Sequence, residues 1–269
     1  MMSPCLPDEK SWKKPLSSLT KKDGVLHLAQ VKGSVTVNLP VVQQLAGGLI
    51  VSRTGNSTVA VVPTPRDISG AVLVSTGASK IGNATTDKDK ARRLFTAVRD
   101  AIRYDPYTVS NDPEHYRASH VIESGRGYCV PKAVVLTAAF RAAGIPARFG
   151  FADVRNHLQT GTLRELMGTD VFVYHGYSHV YIDGRWLKAT PAFNSELCAR
   201  FGVAPIDFTG DSDALLHAHS ADGSTHMEYV RERGTYNDLP LDNILAALKQ
   251  AYGPLIFTQR ATPLDAFHA

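Results

Sequence analysis

The chain has 269 residues, of which 43% are hydrophobic and 20% charged, and a formal net charge of +4; this is the composition of a globular protein with one large domain or two modest ones, not of a disordered or fibrous chain. No run approaches the roughly eighteen apolar residues of a membrane span, and Lys and Arg are scattered rather than bunched, so neither a membrane nor a nucleic acid is expected as a partner. Three cysteines (Cys5, Cys129, Cys198) without a spacing pattern argue against a disulfide framework or a cysteine-based zinc site and suit a reducing, cytoplasmic compartment.

Residues 1–22 are polar, contain Pro7 and Pro15, lack a basic patch followed by an apolar stretch, and read as a poorly ordered tail with no signal peptide. Residues 23–85 are rich in Val, Thr, Ser and Gly. Within them "SVTVNL" alternates, and "LIVSRTGNSTVAVVP" reads as two strands around Gly55-Asn56, which predicts a β-rich N-terminal segment. "GGLIVSRTG" lacks the strand-then-helix context of a phosphate loop. From Thr86 the pattern turns helical, with Ala91, Leu94, Phe95, Val98, Ala101 and Ile102 on one face. Thr86 and Asp89 resemble a capping box, and Asp105-Pro106 ends the helix.

A loop from Ser110 to His120 leads to a second helix that carries Cys129 and is stopped by Gly144 and Pro146. "ARFGFADV" reads as a strand, and the connection from 155 to 169 holds one helical turn at Leu163–Met167. "DVFVYHGYSHVYI", Asp183-Gly184 and "RWLKATPAF" read as a β-hairpin, for which Asp-Gly is a strong signal. Past Asn194 the chain is loop-rich, until a last helix over Leu241–Tyr252 turns Ile244, Leu245 and Leu248 inward. Residues 86–255 thus form the main domain, followed by a C-terminal tail (256–269). The order helix, helix, strand, hairpin predicts an α+β fold, with the Cys-bearing helix packed on an antiparallel sheet.

Gly125 and Gly127 allow a sharp turn and a close approach, and Pro131 is tolerated only in a first helical turn. Cys129 therefore falls at or just before the helix start. Unpaired amides and the helix dipole there lower a thiol pKa and give a usable nucleophile, and the same amides can hold an oxyanion. The alternative is a small buried apolar residue, as most free cysteines are. Cys5 and Cys198 lack the glycine context and read as inert.

A cysteine nucleophile needs a histidine, and the histidine needs an orienting polar group. With Asp183-Gly184 as a two-residue turn, Ile182 faces Arg185, His179 faces Lys188, and His175 faces Ala192, with Thr190 and Asn194 as diagonal neighbours. His175, Tyr177 and His179 then share one face, and Val180 and Ile182 the other. Lys188 disfavours an imidazolium at His179 and offers no acceptor, so His175 is the preferred base and Thr190 or Asn194 its orienting group.

Together the two stretches resemble the transglutaminase-like superfamily. The first, Gly-Tyr-Cys at a helix start followed by "AAGIPAR" and a strand, is similar to its nucleophile segment. The second, "HGYSHVYIDGRWLKATPAF", is similar to its "H-A-W-x-E-V-x-x-D-G-x-W-x-x-x-D-P-T" hairpin. The resemblance spans roughly residues 87–195. It implies a papain-like fold, a Cys129–His175 acyl-enzyme mechanism on an amide or thioester bond, and a peptide, protein or small amide as substrate, with no cofactor or metal. It puts Tyr177 at the family's aromatic position, His179 at the acidic one and Trp186 at the tryptophan. Thr190 stands where the family has aspartate, and threonine supplies no charge to an imidazolium. Asn194 is then the other candidate to orient His175, and an inactive relative with a binding or scaffold role is the alternative.

Tyr116, Tyr128 and Tyr174 are candidate pocket residues, with Tyr128, Tyr174, Tyr177 and His179 the substrate-binding choices. Asp153, Arg155, Asn156 and His157 fall at a strand end, where they rim a cleft or are loop polarity. His217, His219 and His226 lack an acidic cluster at metal spacing and read as a solvated loop.

Overall fold

The computed structural model describes residues 84–220 and 223–258 in full, and seven strands of the N-terminal segment by their backbone alone. Of these strands, β1 (Leu19–Lys22), β2 (Val25–Leu28) and β3 (Val37–Asn38) pair in one antiparallel sheet. A second holds β4 (Val42–Leu45), β5 (Leu49–Thr54), β6 (Ser57–Val61) and β7 (Ala71–Val74) in sequential order. The β5–β6 register pairs Thr54 with Ser57, as the expected hairpin requires. Gly55 and Asn56 themselves, most of the predicted N-terminal tail and residues 259–269 of the C-terminal one lie outside the described residues, while β1 falls inside the stretch read as tail.

The main domain opens with α1 (Asp87–Ala101). Thr86 caps it, its hydroxyl accepting the Asp89 amide at 3.1 Å, and Ala91, Leu94, Phe95 and Val98 face inward. β8 (Arg103–Tyr104) follows. The stretch read as loop is more ordered than its composition suggests. Asp105 and Asp112 cap single 3₁₀ turns at Pro106–Thr108 and Pro113–Tyr116, and α2 (Ala118–Ser124) ends at Gly125 with φ of 64°. β9 (Arg126–Gly127) pairs in parallel with β8 and draws the end of α1 alongside the start of α3 (Cys129–Ala142).

α3 is the central element. Arg141 aside, all of its residues are buried, because α1 and α2 pack on it from one side and the sheet from the other. A helix apolar all round belongs inside a protein. Its one buried charge-bearing group, Lys132, donates to the carbonyls of Arg99, at 2.8 Å, and of Ile102 at the end of α1, and burial pushes its pKa down to about 7. It acts as an internal cap for α1.

The sheet consists of β10 (Ala147–Asn156), β11 (Val171–Ile182), β12 (Arg185–Ala189) and β13 (Met227–Tyr236), all antiparallel in the order β12-β11-β10-β13. α4 (Gly161–Met167) lies between β10 and β11, and α5 (Ser195–Arg200) follows β12. α6 (Leu241–Tyr252) spans the expected residues and packs on β11. The fold is α+β, a Cys-bearing helix on a curled antiparallel sheet. Asp183 (φ 49°) and Gly184 (φ 80°) form the expected turn, with Ile182 opposite Arg185 and His179 opposite Lys188. Alternation sends Ser178, Val180 and Ile182 to α3, where the Ser178 hydroxyl meets that of Thr137 at 2.8 Å. It sends Tyr177 and His179 to the other face, beside Lys188 and Trp186.

The contact of α3 with β11 has no slack at Gly176. A Cβ there would lie 3.0 Å from the Cα of Val130 and 3.4 Å from the ring of Phe151. Gly176→Ala is therefore expected to cost about 1–3 kcal/mol in denaturant unfolding. Gly161→Ala, with open space around it, is expected to cost nothing measurable; equal effects of the two would contradict the packing.

Candidate active site

Cys129 is the first residue of α3, with Tyr128 in the capping position at extended dihedrals. The glycines before it and Pro131 in the first turn set this placement, as their sequence order implies. The sulfur lies in hydrogen-bonding range of three backbone amides, those of Gly176, Val130 and Cys129 itself, each of which favours the thiolate. Burial outweighs them. Cys129 is 7% exposed and its thiol is pushed up to about 11. The lowered pKa expected from the helix start is corrected here. A dipole worth about 0.3–1 kcal/mol at an exposed position does not offset removal of a thiolate from water. The phenols of Tyr104, Tyr116, Tyr128, Tyr229 and Tyr252 lie near enough that a charge on the sulfur would raise their own pKa values.

His175 is one peptide away from the amide that touches the sulfur. It is 3% exposed, its Nε2 is buried and has no hydrogen-bond partner among the described residues, and burial holds its pKa at about 4. The ring of Tyr229 stands edge-on to it, centroids 6.1 Å apart. Tyr229 is thus near both groups, its ring edge-on to the imidazole and its phenol within electrostatic reach of the sulfur.

The orienting groups differ from expectation. The β11–β12 ladder ends at Ser178–Ala189, so the pairing of His175 with Ala192 does not form. Beyond it Thr190 turns away, donating its amide to Ala214 at 3.0 Å. Its side chain is buried beside the Tyr229 phenol, and Oγ1 has no well-formed hydrogen bond among the described residues. Asn194 caps α5 by backbone position, and its Oδ1 accepts the amide of Tyr104 at 3.0 Å; the ladder that would have carried it to His175 is absent.

Of the substrate-binding candidates, Tyr128 lines the site and donates to the hydroxyl of Tyr116 at 3.0 Å. Tyr174 precedes His175 with φ of 54°. Tyr177 and His179 belong to the outer face. Tyr177 donates to Glu232 at 3.2 Å, while His179 accepts from Arg148 at 3.1 Å and packs at a tilt against Trp186. Burial, then the Arg148 guanidinium, lowers the His179 pKa to about 4. Asp153 is buried against Arg233, whereas Arg155 and His157 reach Glu228 at the surface and Asn156 bonds the amide of Leu158. Cys198 is buried, with its thiol raised by burial.

His217 meets the carbonyl of Ala204 and His226 stacks on Phe193. Among the described residues no group of three or more His, Cys, Asp or Glu could hold a metal, and no helix is long and apolar enough to cross a membrane. The site residues that the sequence did not point to are Tyr104, Tyr229 and Tyr252. They come from separate elements without a motif, and only the fold gathers them.

Residues 75–191 match the family model of the transglutaminase-like superfamily. No curated protein matches the chain. Among solved structures it is similar to a candidate cysteine protease from Cytophaga hutchinsonii, at 19% identity and a TM-score of 0.32 over 42% of this chain and 34% of that one. It is also similar to a candidate protease from Parabacteroides distasonis, at 16% identity and a TM-score of 0.30 over 42% of this chain and 21% of that one. The chain spans about a third and a fifth of the length of these two structures.

A buried imidazole held at about 4 rather than 6.5 has a definite sign in stability. Unfolding exposes a ring that protonates below pH 6.5, while the folded ring resists until about 4, so stability is lost as pH falls through that window. The shift is equivalent to about 3 kcal/mol. Wild-type protein is expected to lose that much more stability than His175→Gln between pH 7 and pH 4 in denaturant titrations; parallel curves would show that His175 is solvated.

Proposed function

We propose, from the membership of residues 75–191 in the transglutaminase-like superfamily, that the protein is a cysteine enzyme that cleaves or transfers the acyl group of an amide or thioester through Cys129 and His175. The observation that carries the proposal is the Cys129 sulfur against the Gly176 amide, one peptide from a buried imidazole whose Nε2 has no partner among the described residues. A buried, unpaired ring nitrogen is costly and calls for an explanation, and a proton arriving from the thiol supplies one.

In this scheme sulfur and imidazole both rest uncharged near neutral pH, since one titrates near 11 and the other near 4. His175 takes the thiol proton as sulfur bonds the substrate carbonyl carbon. Backbone amides at the start of α3 hold the oxyanion. The imidazolium returns its proton to the leaving amine or thiol as that bond breaks, leaving an acyl-enzyme. Water or an amine, deprotonated by His175, then attacks the acyl carbon and releases Cys129. A peptide, protein or small amide supplies the acyl group. Burial of the sulfur excludes bulk water, which favours an amine acceptor when one is bound.

A second reading has specific support. The thiol is sealed and raised, and Thr190 brings no carboxylate to the imidazolium; both suit a catalytically silent domain that binds peptide or serves as a scaffold. Iodoacetamide labelling followed by mass spectrometry separates the two. For the enzyme, Cys129 is alkylated at least about tenfold faster than Cys198 at pH 7, and His175→Ala slows it by about a hundredfold. Its rate is flat from pH 5 to 8, because a base that titrates near 4 is already free, while Cys198 labelling climbs with its thiolate fraction. Equal, slow labelling of both cysteines, indifferent to His175, establishes the silent domain.

A further inference from the structure

The register between β10 and β11 slips immediately before the candidate base. Ala152 faces His175, but the next pair is Val154 with Phe172, so Asp153 alone faces Val173 and Tyr174. This is a β-bulge, a device that re-aims side chains and recurs beside active sites. Tyr174 sits in it at φ 54°, a conformation that costs a residue with a Cβ about 1–2 kcal/mol. Both amides that the bulge releases from the ladder are taken up by side chains. Tyr174 donates to Oδ1 of Asp153 at 3.0 Å, and Val173 donates to the hydroxyl of Tyr252 at 2.6 Å, which in turn donates to the carbonyl of Val171 at 3.0 Å.

Asp153 is itself fixed. Arg233 donates Nε to both carboxylate oxygens, at 2.8 and 3.0 Å, and its terminal nitrogen to Oδ2 at 2.8 Å. The guanidinium also lies 4.7 Å over the ring of Tyr174. Arg233 occupies a second irregularity, where Phe151 faces Gly234 and Ala152 faces Glu232, and another slip between Asp153 and Val154 brings Tyr229 into the ladder. Two strands flanking β10 are thus distorted at one level, and Asp153 joins them. The strain at Tyr174 persists because charge-assisted bonds over-determine it.

We propose that Asp153 and Tyr252 are positioning residues for the candidate base: by clamping the bulge at Val173–Tyr174 they set the strand position from which His175 addresses Cys129. The inference rests on the Cys129–His175 pairing proposed above. It places the orienting function on the backbone before the histidine, in a protein whose position 190 carries no carboxylate.

The test compares His175-dependent iodoacetamide labelling of Cys129, and the imidazole NMR resonances of His175, in wild type, Asp153→Asn, Tyr252→Phe and Ile244→Val. Ile244 lies in the buried face of α6, about two turns before Tyr252, and serves as a control for lost stability. Displacement of a reacting group by a fraction of an ångström is expected to slow labelling by roughly tenfold in Asp153→Asn and by severalfold in Tyr252→Phe, with His175 resonances shifted in both and unchanged in Ile244→Val. If Asp153→Asn does not fold, Tyr252→Phe, which removes a single oxygen, decides the matter. Wild-type labelling and unmoved His175 resonances in the clamp variants, or an equal slowing in Ile244→Val, would overturn the inference while leaving the pairing intact. Wild-type labelling that ignores His175→Ala would remove the pairing itself.

Discussion

Where α3 meets β11 there is no room for a side chain. Gly176 lets the backbone of the strand touch the first turn of the helix at Val130, and that contact carries the Gly176 amide to the sulfur of Cys129. Everything else in the site follows from it. His175 immediately precedes Gly176, so the proposed base comes from the strand that meets the helix start. Tyr229 stands beside both because its strand crosses the same end of the sheet. A helix start lends amides to any group placed there, but here the strand sets which group it faces.

The same close approach determines the electrostatics. Packing that lets two backbones touch also expels water, so the thiol rises to about 11 and the imidazole falls to about 4. Burial favours the neutral form of each group, and an uncharged pair is the consistent resting state. Chemistry at such a site has to create its charges in the reaction itself, on preorganised amides rather than on a standing ion pair. This bears on Thr190, which brings no carboxylate to the site. A protein that never holds a resting imidazolium has less use for a neighbouring carboxylate than for a rigid strand under the ring.

How far the sequence reveals this depends on the range of each interaction. The Cys129 helix, the Asp183-Gly184 hairpin and the capping Thr86 are local, written in residues a few positions apart, and they occur where the pattern puts them. The hairpin register is legible as far as Ser178–Ala189 and no further, because the departure of Thr190 toward Ala214 is made by a distant loop. Asn194 is drawn off by Tyr104 for the same reason. The helix dipole at Cys129 is legible but the burial that overrides it is not, since it is made by residues from well-separated parts of the chain. The bulge before His175 leaves no pattern at all. An aspartate in "FADV" looks like strand-end polarity until Arg233, 80 residues later, arrives beside it.

The most direct test of the central contact is to block Cys129 as its methyl disulfide and follow the imidazole nitrogens by NMR. Contact between the sulfur and its neighbouring strand predicts that the Nε2 signal of His175 moves on blocking while the remaining histidines hold still. A His175 signal that stays in place would contradict the account, because the imidazole would then have no part in what happens at the thiol.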